Sequence, residues 1–187
     1  INLEIDLTRG NIVKVPTDPR ETELYLGGLG TNAKILWDRV PPEVEPFSPD
    51  NLLIFSAGLL CGTPATGCNR TIVSTISPQT KLMAFSMMGG FWAPELKYAG
   101  YDSLIVKGKA PRPVYIAINN DSIDVKDASH IWGLDTYKTQ DVLQEELGDP
   151  EVEVTWYDGG LQPMKPQWWP EGKSMNDDGG GVLFYGS

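Results

Sequence analysis

Apolar and polar positions alternate through residues 2–15, interrupted only at Thr8-Arg9-Gly10-Asn11, and this period of two predicts a β-hairpin. The pattern then lengthens. Residues 21–26 read as a short helix closed by Gly27-Gly28, and residues 31–40 as a second helix stopped by Pro41-Pro42. In the second helix Ala33, Ile35, Leu36 and Val40 are placed to cover a sheet. Residues 43–51, with Pro46 and Pro49, form a loop. Three strands follow at 52–57, 71–76 and 81–87, then a helix from Pro94 that stops at Gly100, then a strand at 103–106. Strands 114–118 and 122–125 make a second hairpin over Asn119-Asn120-Asp121. Asp135 caps a last helix, which carries Thr136, Val142, Leu143 and Leu147 on its apolar side and is closed by Gly148. There is no internal repeat and no low-complexity linker. The expected fold is a strand-rich α+β domain.

Composition agrees with that pattern. A chain of 187 residues is about one domain, and 41% apolar residues with 6 Trp and 7 Tyr are enough for a sizeable core. With 20 Gly and 15 Pro, short strands and turns are favoured over a helical bundle. The net charge of −10 argues against a nucleic-acid partner, because no basic stripe exists to neutralise phosphates. The longest apolar run, residues 52–61, is far short of the roughly 20 residues that span a bilayer, so no membrane span is expected. Cys61 and Cys68 fit neither a zinc nor a cluster spacing and read as two reduced thiols, with Cys68 as an alternative lining residue near Arg70. His130, the only histidine, is given a structural role and no catalytic one. The run Gly27-Gly28-Leu29-Gly30 follows a helical pattern rather than a strand and reads as a helix terminus, not a nucleotide loop.

The most informative stretch is Ser86-Met87-Met88-Gly89-Gly90-Phe91-Trp92, which runs on into Ala93-Pro94-Glu95-Leu96-Lys97-Tyr98-Ala99-Gly100-Tyr101-Asp102. An apolar strand enters a bare glycine pair and then a helix. Without a Cβ the backbone at Gly89 and Gly90 lets a large ligand approach closely. The helix behind offers N–H groups suited to an anionic group such as phosphate. Upstream, Gly62-Thr63-Pro64-Ala65-Thr66-Gly67-Cys68-Asn69-Arg70 ends in a guanidinium able to stack on a flat ring or fork onto phosphate. Arg70, Met87, Met88, Gly89 and Gly90 are therefore the candidate cofactor-binding residues. The plain alternatives are a surface arginine at a strand start and a strand end with two core methionines. Glu95 and Lys97 read as supports of the sheet rather than acid–base groups.

These segments resemble the N-terminal domain of the aldehyde ferredoxin oxidoreductase family, whose enzymes carry tungsten (occasionally molybdenum) on two pterin-dithiolenes beside an iron–sulfur cluster. The resemblance runs over residues 1–148 and includes Tyr25-Leu26-Gly27-Gly28, Ala33-Lys34-Ile35-Leu36, Lys107-Gly108-Lys109-Ala110 and Asp127-Ala128-Ser129-His130. It implies two sheets forming a base beneath a tungsten bis-pterin cofactor. It also implies a backbone carbonyl at Met87 that helps bind the magnesium bridging the pterin phosphates. Aldehyde-oxidising members usually carry Asn-Ser where this chain has Met87-Met88. They usually carry Gly-Gly-Arg-Gly-Leu-Gly where it has Gly27-Gly28-Leu29-Gly30-Thr31-Asn32. The wording around Leu60-Cys61-Gly62 is closer to the tungsten subunit of class II benzoyl-CoA reductases, which reduce the aromatic ring of benzoyl-CoA to a cyclic diene.

The resemblance thus implies the cofactor-binding part of a tungsten oxidoreductase, fed by a [4Fe-4S] cluster. That cluster needs four thiolates and is expected on residues outside this segment, in later domains of a longer chain, since the segment has 2 cysteines. The catalytic residues are likewise expected elsewhere. An electron-transfer iron–sulfur subunit, an oligomer and a cytoplasmic, anaerobic setting complete the expectation. Aldehyde oxidation and a non-catalytic scaffold are the alternative functions. Residues 1–150 are assigned to the pterin-binding domain and 151–187 to a divergent or truncated end of it. There Met175-Asn176-Asp177-Asp178 resembles the approach to a second pterin-facing turn, but Asp178 stands before Gly179-Gly180-Gly181 where the family has Arg. An Asp beside a phosphate repels it, and this turn is not carried over as a site.

Overall fold

The structure, a computed structural model, describes residues 1–148 and the backbone of two further strands at 153–156 and 182–185. It is α+β and divides into two compact units, Ile1–His130 and Ile131–Ser187. In the first unit β1 (Asn2–Asp6), β2 (Asn11–Val15), α1 (Pro19–Tyr25) and α2 (Gly28–Arg39) lead into β3 (Leu52–Ala57), β4 (Thr71–Ile76) and β5 (Met83–Met88). Helix α3 (Trp92–Tyr98), strand β6 (Ser103–Lys107) and the hairpin β7 (Val114–Asn119) and β8 (Ser122–Asp127) complete it. The second unit contains α4 (Thr136–Leu147), capped by Asp135 and Gly148 as expected, and the antiparallel pair β9 (Glu153–Trp156) and β10 (Val182–Tyr185). The segment 175–181, with its acid-flanked glycines, lies outside the described residues.

Six strands form one sheet in the order β2-β1-β6-β3-β4-β5, and β7-β8 forms a separate two-stranded sheet. Every neighbouring pair is antiparallel except β1 and β6, which run parallel with Leu3 against Leu104. The middle strands are covered on both faces, which explains why β3 and β6 read as nearly continuous apolar runs. On one face Leu52, Ile54 and Ile105 meet Ile35 and Leu36 of α2 and Val40, which follows it. On the other, Leu3, Ile5 and Leu104 pack with Leu96 and Tyr101, and Phe55, Trp92 and the isoleucines of β7 and β8 close around them.

Four elements start elsewhere than the sequence reading places them, each with a local cause. The first helix begins two residues early, because Asp18 caps it by accepting from the Arg20 N–H at 2.8 Å and Pro19 occupies the first turn. It ends on Leu26, which itself takes the left-handed conformation (φ 59°). The glycines Gly27-Gly28 therefore open α2 rather than close α1, and α2 starts at Gly28 instead of residue 31. At Gly30 a Cβ would stand 2.3 Å from the Tyr25 carbonyl oxygen, so the tight α1–α2 junction depends on that glycine. Strand β5 starts at Met83 because Lys81, at φ 59° and bonded through its N–H to the Ser77 carbonyl, is still in the turn. Helix α3 starts at Trp92, with Pro94 in its first turn, where the missing N–H costs nothing.

The motif that ends in Asp102 is a clamp. Lys97 on α3 pairs with Asp102, whose other oxygen accepts from Thr17 at 2.7 Å, and Gly100 (φ 92°) makes the turn between them. Partial burial raises the Asp102 carboxyl, but hydrogen bonds from Lys97, the Ile1 nitrogen and Thr17 outweigh it and hold the group down to about 2.

Two outcomes follow. Gly30→Ala destabilises the first unit by about 1–3 kcal/mol through overpacking against the Tyr25 carbonyl, measurable by chemical denaturation. Because the folded Asp102 is depressed below its ordinary 3.8, its stabilisation is complete above about pH 4 and fades as pH falls through about 2. In acid titration Asp102→Asn is less stable near neutrality and loses less stability across that window than the unmodified protein.

Candidate functional site

The candidate residues converge at the end of the last two strands. In the β4–β5 ladder Thr71 faces Met88, and the next step along both strands brings Arg70 level with Gly89. A Cβ built on Gly89 would lie 3.9 Å from Arg70 Nη1, which places the guanidinium directly over the glycine backbone. Two segments separated by the β4–β5 hairpin are thus one surface. Among the described residues the exposed Arg70 guanidinium has no hydrogen-bond or ion-pair partner, whereas Arg39 is locked in a two-point pair with Glu4 at 2.8 Å.

The two glycines differ. Gly89 has ordinary backbone geometry and only Arg70 near its Cβ position. Gly90 sits at φ 97° with open space around it, a conformation that side chains resist. Among the described residues only the Arg70 guanidinium comes within 4 Å of a Cβ built on either glycine, so the cradle has the form expected of a backbone surface that receives a large group.

Met87 and Met88 are 53% and 38% exposed, contrary to a core role. Strand β5 is the sheet's outer edge and is nearly all exposed, and Phe85, Phe91, Leu59 and Leu60 add further apolar surface. The strand that leads into the glycine pair thus carries an exposed apolar edge, a surface suited to the flat body of a ring system. Helix α3, at seven residues, contributes mainly as backing. Its Ala93 packs with Ala57 and Cys61, and Gly62 runs so close to it that a Cβ would be 3.2 Å from Tyr98. Both cysteines are free. Cys61 is buried with its Sγ 3.6 Å from the Arg70 carbonyl, which makes it a support of the arginine's backbone rather than a ligand. Among the described residues no group of three His, Cys, Asp or Glu side chains is arranged to hold a metal, and no helix is long and apolar enough to cross a membrane.

Sequence reading missed what holds this surface from below. Asn32 on α2 is fully buried; its amide donates to Ser74 Oγ at 3.0 Å and to the Ile72 carbonyl at 3.4 Å, and its oxygen accepts from Ser56 Oγ. It ties α2 to β3 and to the part of β4 just after Arg70. The available signal was a polar residue on the helix stripe that carries Ile35 and Leu36, matched by serines at inward positions of two apolar strands.

Comparison with known proteins bears on this geometry. The sequence model described as aldehyde ferredoxin oxidoreductase, N-terminal domain, matches residues 2–156. The tungsten-containing aldehyde ferredoxin oxidoreductase of Pyrococcus horikoshii is 40% identical over 152 residues, which cover 81% of this chain and 25% of that protein. The aliphatic sulfonate oxidoreductase WOR-like subunit of Pyrococcus furiosus is 36% identical over 143 residues, 73% of this chain and 23% of that one. Among solved structures, the active-site complex BamBC of benzoyl coenzyme A reductase with 1,5-dienoyl-CoA matches at 72% identity and a TM-score of 0.79, over 82% of this chain and 23% of that one. The chain spans about a quarter of the length of the curated relatives it matches.

The contrast between the glycines is testable by itself. Gly89→Ala folds with unchanged thermal stability, while Gly90→Ala loses about 1–2 kcal/mol to backbone strain. Melting curves of the two variants separate them.

Proposed function

The chain belongs to the aldehyde ferredoxin oxidoreductase family through its N-terminal domain, and on that premise we propose that it forms one wall of the tungsten bis-pterin site of an enzyme that reduces the aromatic ring of benzoyl-CoA. The observation that carries the substrate is the 72% identity to a benzoyl coenzyme A reductase chain, against 40% to an aldehyde enzyme over a similar stretch. When bound, the tungsten–dithiolene group supplies electron transfer at very low potential, chemistry that no amino-acid side chain provides.

The residues of this chain hold and shield that group. Arg70 meets the pterin through its planar guanidinium, either on the ring or on phosphate. Gly89 and Gly90 would let the backbone come close to the group, and the carbonyl of Met87 would help hold a magnesium ion bound with it. Met87 and Met88, with their apolar neighbours, lower the local dielectric and keep water from the cofactor edge, which strengthens the charged contact of Arg70. The chain supplies position and surroundings. The remaining contacts, the acid–base groups and the thiolates of a [4Fe-4S] cluster belong to sequence outside it, and electrons arrive through an iron–sulfur partner subunit in an oxygen-free cytoplasm.

The test is elemental analysis of the native, full-length protein purified without oxygen. Near one tungsten per protomer, with iron present and ring reduction of benzoyl-CoA faster than oxidation of simple aldehydes, is the expected result. Arg70→Ala and Gly89→Val lower tungsten occupancy at least several-fold while the protein still folds. Tungsten occupancy unaltered in both variants would remove this surface from the cofactor site. Aldehyde turnover without ring reduction would instead assign the protein to the aldehyde-oxidising branch, and absence of tungsten, molybdenum and iron to a scaffold.

A further inference from the structure

A small cavity of about 30 Å³ lies where α1 gives way to α2, beside the end of β3 and the Lys97–Asp102 clamp. Gly27, Gly28 and Thr31 form one wall, and Thr17, Lys97 and Asp102 help form another. Thr31 is 9% exposed, and its buried Oγ1 has no hydrogen-bond partner among the described residues. A threonine in a helix commonly turns its hydroxyl onto a carbonyl of the preceding turn; this one does not.

The walls select the occupant. Asp102 repels an anion and the Lys97 ammonium repels a cation, so the pair leaves the cavity suited to a neutral polar molecule. The volume exceeds the roughly 10–15 Å³ that one water requires and is too small for an organic ligand. Water also needs partners. Thr31 Oγ1 offers one donor and two acceptor positions, and Thr17 Oγ1, which donates to Asp102 at 2.7 Å, keeps its acceptor positions.

We propose that this cavity is a binding site for one ordered water molecule, which joins the Thr31 hydroxyl to the wall that carries Thr17 and Asp102. The water couples the start of α2 to the Lys97–Asp102 motif. Two stretches recognised in the sequence, Gly27 to Asn32 and Lys97 to Asp102, meet around it and act as one support for the sheet.

The experiment is a crystal structure of the native full-length protein at a resolution that shows waters, together with hydrogen exchange of Thr31→Val and Thr31→Ser. The expected result is density within about 3 Å of Thr31 Oγ1. In Thr31→Val that density is lost and the amides of residues 32–36 exchange roughly five-fold faster, about one hydrogen bond's worth; Thr31→Ser preserves both. A dry cavity, with exchange in Thr31→Val unchanged or slower, overturns the proposal. So does an anomalous peak there in crystals grown with rubidium, which marks a cation site. Should Thr31→Val fail to fold, the density in the unmodified protein and in Thr31→Ser decides.

Discussion

The antiparallel ladder that sets Thr71 against Met88 carries Arg70 to the side of Gly89, and every property of the candidate site depends on it. A slip of one residue would part the guanidinium from Gly89 and turn each β5 residue to the opposite face. Burial does not enforce this register on β5, because that strand is an exposed edge. The turn before it does. Ser77 Oγ accepts from the N–H groups of Gln79 and Thr80, the Ser77 N–H bonds to the Leu82 carbonyl at 2.8 Å, and Lys81 adopts a left-handed conformation. One short turn thus fixes the pairing of six residues and, at its far end, the meeting of arginine and glycine.

Strand β4 is itself anchored from underneath. Asn32 is buried with its amide and carbonyl both satisfied by β3 and β4, so the polar group strengthens the packing instead of weakening it. The asymmetry of buried hydrogen bonds makes such a network specific: losing one member leaves the serines unpaired away from water. The Asn32 network acts near the ends of the strands from which the loop at residues 58–70 departs and returns. On the opposite face Cys61, Ala57 and Ala93 give a tight, small-residue contact that lets this loop lie against α3. Rigid support on both faces and an open, apolar rim at the edge are what a site needs to hold a large planar cofactor in one orientation.

Most of the fold was legible because hydrophobic period and punctuation agreed. Strands at 52–57 and 71–76, the hairpin over Asn120 and the helix between Asp135 and Gly148 stand where the pattern places them. Boundaries failed where one residue type had two uses. Gly27-Gly28 serve equally as a helix end or a helix start, and only the left-handed Leu26 and the bridge from Gly27 to Gly58 decide between them. The parallel contact of β1 with β6 joins residues about a hundred positions apart, which no local pattern encodes. Of the candidate site, the arginine and the glycines that the structure brings together stood out in the sequence through motif and spacing. Asn32 was not, because a buried amide reads in sequence like any other polar residue.

Arg70, without a hydrogen-bond or ion-pair partner among the described residues, projects from a strand end over bare backbone, and the account stands on that guanidinium meeting the pterin. The most direct test is an electron cryo-microscopy structure of the full-length protein, isolated without oxygen and with its metal retained. The account predicts pterin ring or phosphate atoms within about 4 Å of the Arg70 guanidinium, and the Gly89 backbone against the same group. A cofactor seated elsewhere, with Arg70 and Gly89 both covered by protein, would contradict it.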